Sequence, residues 1–124
     1  MGVRYSIDLE KKLNTFYVTG IFTLKEMSVA YEALFSDPAY DPDFNTLSLF
    51  DEAEHLGLEY SEIGEIRAII KKFDTRRGKV AMVFGTSTGR YMWGKLAVLQ
   101  FNLLKSNPYR AFKSREDALD WLNS

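Results

Sequence analysis

Lys79–Arg90 reads KVAMVFGTSTGR: an apolar run, Val80 to Phe84, passes without a break into Gly-Thr-Ser-Thr-Gly-Arg. A short apolar run bounded by turn residues suits a strand buried on both faces, the kind found inside a parallel sheet. From Tyr91 to Lys105 the spacing becomes helical, so the stretch predicts strand, turn and helix in that order. Open α/β sheets bind ligands at the carboxyl ends of their strands, where the following helices begin. Gly85, Thr86, Ser87, Thr88 and Arg90 therefore make a candidate anion-binding loop, offering hydroxyls, backbone N–H groups and one guanidinium. It is not a P-loop, because the spacing is G-x-x-x-G and Arg90 stands where Gly-Lys-Ser/Thr would be needed. The same residues also serve as a plain turn, with Gly85 turning the chain and Thr88 capping the helix.

Downstream, the Tyr91–Lys105 helix is apolar nearly all round. One stripe holds Met92, Leu96, Leu99 and Leu103 and a second Trp93, Ala97 and Leu104, with Tyr91, Val98 and Phe101 on other sides. Such a helix is deeply buried or covered by a partner. Tyr91, Val98 and Phe101 are candidate interface residues, and a homodimer is one expectation. Tyr109–Phe112 then reads as a short strand, and Ser114-Arg-Glu-Asp117 as the cap of a final helix burying Ala118, Leu119, Trp121 and Leu122.

Upstream, a helix beginning near Ser61 buries Ile63, Ile66, Ile70 and Phe73 and turns Arg67, Lys71 and Lys72 outward, joined by Arg76 and Arg77 in the turn. Before it, Asp51–Tyr60 is acidic and aperiodic, and Thr46–Phe50 is a short strand ending at Asp51. Thr23-Leu-Lys-Glu26 is a capping box opening a helix that buries Leu24, Met27, Tyr31, Leu34 and Phe35. At the amino end, Val3, Tyr5, Ile7 and Leu9 alternate with polar residues, and Thr15–Phe22 is β-branched and aromatic, so the two pair as a hairpin around a polar turn at Glu10–Asn14. The order is β-β-α-β-α-β-α-β-α. It predicts one α/β domain over residues 1–124, with a mostly parallel five-stranded sheet whose first strand alone is antiparallel.

With 124 residues, 46% of them hydrophobic, the chain can bury one core without staples. The absence of cysteine excludes disulfides, thiol catalysis and Cys-ligated metal sites, and the single histidine, His55, excludes a multi-histidine metal centre. No apolar run reaches the roughly 18 residues of a membrane span, and the amino end lacks a signal-peptide pattern. A cytoplasmic protein is expected, with no metal and no cofactor. Residues 1–60 carry eleven acids and four bases, a balance of −7, and residues 61–124 carry twelve bases and six acids, a balance of +6, for a net charge of −1. That split suits complementary docking with itself or with a charged partner, and it gives no support to nucleic-acid binding. Asp51, at a strand's carboxyl end, has the position of a phosphoacceptor but lacks the supporting acidic pair. No nucleophile–base pair is recognisable, so catalysis is not expected.

Several segments together resemble the SpoIIAA-like group of the STAS superfamily, the bacterial anti-sigma-factor-antagonist fold. They are Gly20-Ile-Phe-Thr23, Asp37-Pro-x-Tyr-x-Pro42, the strand ending in Asp51, Val80–Gly85, Arg110-Ala-Phe112 and Glu116-Asp-Ala-Leu-Asp-Trp-Leu122. The resemblance implies a (βα)-superhelical domain with sequential strand order and a non-enzymatic role, regulation by protein–protein contact. It also implies a phosphorylated serine at the start of the helix after the third strand, where Ser61 is the nearest equivalent, although Tyr60 replaces the aspartate of that motif. Because lipid-binding domains of the CRAL-TRIO type share the fold, the alternative is a carrier of a lipid or other small apolar ligand.

Overall fold

A computed structural model describes residues 2–55, 62–102 and 108–124. The elements, in chain order, are β1 (Val3–Asp8), β2 (Leu13–Val18), β3 (Gly20–Ile21), α1 (Leu24–Phe35), β4 (Asn45–Leu49), β5 (Ala53–His55), α2 (Ile63–Phe73), β6 (Val80–Val83), α3 (Thr88–Asn102), β7 (Tyr109–Phe112) and α4 (Arg115–Leu122). Five strands form one sheet in the order β1-β2-β4-β6-β7. Only the β1–β2 pair is antiparallel; the β2–β4, β4–β6 and β6–β7 pairs are parallel. The fold class, the sequential order and the antiparallel first strand are those expected.

One expected strand is broken. Thr15–Phe22 does not run through, because Gly20 takes a φ of +65°, a left-handed conformation that interrupts an extended chain. β2 ends at Val18, and β3 pairs instead with β5 in a separate parallel ribbon beyond the carboxyl ends of β2 and β4. The strand also starts earlier than expected, at Leu13. Its two-residue period then puts Asn14 on the same face as Phe16 and Val18, so Asn14 is buried rather than part of a polar turn.

The two faces are covered unequally. Phe16, Val18, Val80, Met82 and Tyr109 point to the face covered by α1, α2 and α3, where they meet Met27, Tyr31, Leu34, Ile66, Ile70, Ala97 and Phe101. Leu47, Leu49, Ala81, Val83 and Phe112 point the other way, onto Ala118 and Leu122 of α4. Both expected caps are present: the Thr23 hydroxyl accepts the Glu26 N–H at 3.3 Å, and the Ser114 hydroxyl accepts the Asp117 N–H at 3.2 Å. Aromatic rings run from Phe22 through Phe50 and Phe84 to Trp93, with centroids 5.3, 5.2 and 6.4 Å apart in turn. Gly94 lets α3 settle on this row, since a Cβ there would lie 2.3 Å from the Phe84 ring.

Candidate functional site

The Gly85–Arg90 loop lies where the apolar run places it, between β6 and α3. Gly85 has a φ of +84° and turns the chain, as expected. The helix starts earlier than expected: Thr88 is already helical and the Ser87 carbonyl accepts the Tyr91 N–H at 2.9 Å, so Ser87 rather than Thr88 stands at the cap. Thr86, Ser87 and Thr88 are exposed. Arg90 is turned back onto the protein, donating from Nη1 to the Phe50 carbonyl at 3.2 Å and from Nη2 to the Glu54 carbonyl at 3.4 Å. It fastens the start of α3 to the segment after β4.

A carboxylate also shares this end of the sheet. Asp51 sits so close to the loop that a Cβ on Gly85 would lie 3.4 Å from the Asp51 Cβ. Arg115, the first residue of α4, grips Asp51 with both Nε and Nη2 at 2.9 and 3.2 Å and reaches Glu52 at 3.4 Å. The hydrogen bond to Asp51 holds the guanidinium of Arg115 above its ordinary pKa. Both Asp51 oxygens thus have an arginine partner, which sets Asp51 apart from a receiver-type phosphoacceptor awaiting a metal or phosphoryl group. Ser61 lies outside the described residues.

α3 presents a different kind of surface. Val98 and Phe101, expected at an interface, are buried in the core, and Tyr91 is half-buried. Met92, Leu96 and Leu99 are the apolar residues left out, with relative exposures of 52%, 41% and 60%. Their spacing of four and then three residues sets them on one side of the helix. Between α3 and β7 lies an open groove of about 660 Å³ whose lining includes Tyr91, Lys95, Arg110, Lys113 and Asp117. The Nζ atoms of Lys113 and Lys95 stand 5.0 and 5.6 Å from the Tyr91 ring centroid, so the groove is basic and aromatic.

The opposite, amino end of the parallel strands carries a buried ionic cluster that sequence spacing did not indicate. Arg76, expected on a basic outer face, is buried together with Asp74. Its Nε and Nη2 donate to the two Asp74 oxygens at 2.9 and 2.6 Å, and Nη2 also reaches the hydroxyls of Tyr31 and Tyr109 at 3.2 and 3.3 Å. The Tyr109 hydroxyl in turn donates to Asp74. Burial alone would push the Asp74 carboxyl up, but the Arg76 charge and the hydrogen bonds from Arg76 and Tyr109 outweigh it and hold the group below its ordinary value. The Tyr109 hydroxyl is pushed far up, first by burial. Asp74 also ends α2, where its N–H donates to the Ile70 carbonyl, so the cluster ties α2, α1 and β7 together.

This architecture is SpoIIAA-like. An uncharacterized protein from the DUF3478 family with a SpoIIAA-like fold, from Shewanella loihica, is similar to this chain with a TM-score of 0.61 and 20% identity, over 98% of this chain and 94% of that one. At that identity the likeness fixes the fold and nothing finer. No family model and no curated protein matches the chain. Among the described residues, no helix is long and apolar enough to cross a membrane.

Proposed function

We propose that this chain is a non-enzymatic STAS-like regulatory domain of the bacterial cytoplasm, and that α3 with its neighbouring groove is the face a protein partner covers. The observation that carries this reading is the exposed row Met92, Leu96 and Leu99 on a helix whose other side is locked into the core. An apolar row rimmed by charge is the usual form of a docking face. Lys95, Arg110 and Lys113 beside it favour a partner that brings carboxylates.

The carrier alternative has less to rest on. Among the described residues, two apolar cavities beneath the helices hold about 20 Å³ each, against the roughly 300 Å³ or more of ordinary ligand pockets, and the larger apolar groove, about 520 Å³ beside α1, is open rather than enclosed. Native mass spectrometry of freshly purified protein is its direct check.

The test of the docking face is affinity capture from the native host with the wild-type chain and with a triple variant, Met92→Ser, Leu96→Ser and Leu99→Ser. The account expects the wild type to retain a defined protein and the variant to lose it while keeping its circular dichroism and melting temperature. A variant that retains the same protein equally well rejects this face.

A further inference from the structure

One edge of the sheet is bare. In the β1–β2 hairpin the Thr19 N–H donates to the Gly2 carbonyl at 2.7 Å, and the register pairs Arg4 with Tyr17, Ser6 with Thr15 and Asp8 with Leu13. Bonded and non-bonded pairs alternate along an antiparallel ladder. The even-numbered residues of β1 therefore bond to β2, and the N–H and C=O groups of Val3, Tyr5 and Ile7 face outward. Among the described residues nothing bonds to these six groups. The strand has six residues with no proline, and its register with β2 runs unbroken, so it lacks the proline and the bulge that often blunt an edge. α1 leaves the edge open as well, above a mainly apolar groove of about 520 Å³ whose lining includes Val3, Tyr5, Val29, Ala30 and Ala33, with Arg4, Thr23, Lys25 and Glu26 at its polar part and Val29 itself 59% exposed.

We infer that a second copy of this chain covers this edge, its β1 running antiparallel to the first about a two-fold axis at Ser6. The charges on β1 choose both the occupant and the register. An axis at Ser6 places Arg4 opposite Asp8 of the partner, and by symmetry Asp8 opposite the partner's Arg4, in non-bonded pairs where side chains approach most closely. An axis at Arg4 sets like charges against each other, and an axis at Tyr5 sets Arg4 against serine. The Ser6 axis also sets Tyr5 against Ile7 of the partner twice, on the side of the groove and of exposed Val29. Arg4 and Asp8 are already held on the opposite face: the Arg4 guanidinium lies 4.3 Å from the Tyr17 ring centroid, and Asp8 accepts the Lys11 N–H at 2.9 Å. The inference is independent of the docking role given to α3, so either can fail alone.

The experiment is light scattering or sedimentation over a range of concentrations on the whole chain, on Arg4→Asp, on Asp8→Arg, and on the variant carrying both. The wild type should approach twice the chain mass. Each single reversal should weaken dimerisation about tenfold or more, because it sets like charges across both symmetric pairs, and the double reversal should restore it to within about threefold. Melting curves of the same variants separate lost association from lost folding. A wild type that stays monomeric at millimolar concentration overturns the inference. So does a dimer indifferent to the single reversals, which would place the contact elsewhere, or a double reversal no better than the singles.

Discussion

At the β7 edge the side-chain amide of Asn102 takes both outward backbone groups of Tyr109, donating to its carbonyl at 3.0 Å and accepting its N–H at 2.8 Å, while the β1 edge offers three residues' groups with nothing bonded to them. The β7 edge is anchored from inside too, through the Tyr109 hydroxyl on Asp74. An amide side chain reproduces the pattern of a neighbouring strand, so at Tyr109 the β7 edge is closed within the monomer. The contrast teaches that the two edges differ in length and closure: the six-residue β1 leaves three outward residues open, whereas at the four-residue β7 the Asn102 amide closes Tyr109. It also separates two kinds of polar feature: those already consumed by the fold, such as Arg76, Arg90 and Asp51, and those still available, such as the β1 edge and the groove beside α3.

The largest way to break the contrast is to loosen β7 from within. Arg76→Met leaves the Asp74 carboxylate buried without its cation, and the expected loss of unfolding free energy in a urea titration is about 3–5 kcal/mol. The same cluster sets a pH dependence. Because the Asp74 carboxyl is lower in the folded chain than in the unfolded one, the unfolded chain takes up its proton first as pH falls. Stability from this group is therefore present above an ordinary carboxylate pKa of about 4 and is lost as pH falls through the lower folded value. Melting temperatures of wild type and Asp74→Asn should show a difference at neutral pH that narrows in acid.

A smaller effect sharpens the comparison. Asn102→Ala removes two hydrogen bonds at a surface edge where water can replace them, so the expected loss is about 1–2 kcal/mol. The Tyr109 amide should then exchange with solvent far faster than in the wild type, and the β7 edge should resemble β1. Unchanged exchange at Tyr109 would mean that burial rather than the Asn102 amide protects it.

Much of the scaffold was legible because its signals are local. Val80–Phe84 is short, apolar and bounded by turn residues, and Thr23 and Ser114 stand three residues before an acid, so strand and caps follow from spacing. Arg76 was not legible: in sequence it matches its neighbour Arg77, but it is folded inward among Tyr31, Phe35 and Tyr109 while Arg77 pairs with Asp43 at the surface. The outer side of α3 was not legible either, since a helix apolar all round has no preferred face. Gly94 helps select it, because a Cβ there would lie 2.3 Å from the Phe84 ring. That contact turns Ala97, Val98 and Phe101 inward and leaves Met92, Leu96 and Leu99 outside. The charge split between the two halves of the chain pointed to docking, but the opposite charges that matter at β1, Arg4 and Asp8, lie four residues apart in one strand, where counting charges by half conceals them.

Residue-resolved amide exchange at increasing protein concentration tests the difference between the edges most directly. The account predicts that Tyr5 and Ile7 gain protection as concentration rises, while Arg4 and Ser6, bonded to β2, and Tyr109, bonded to Asn102, are protected throughout. Tyr5 and Ile7 amides that exchange at the open-chain rate at every concentration would contradict it.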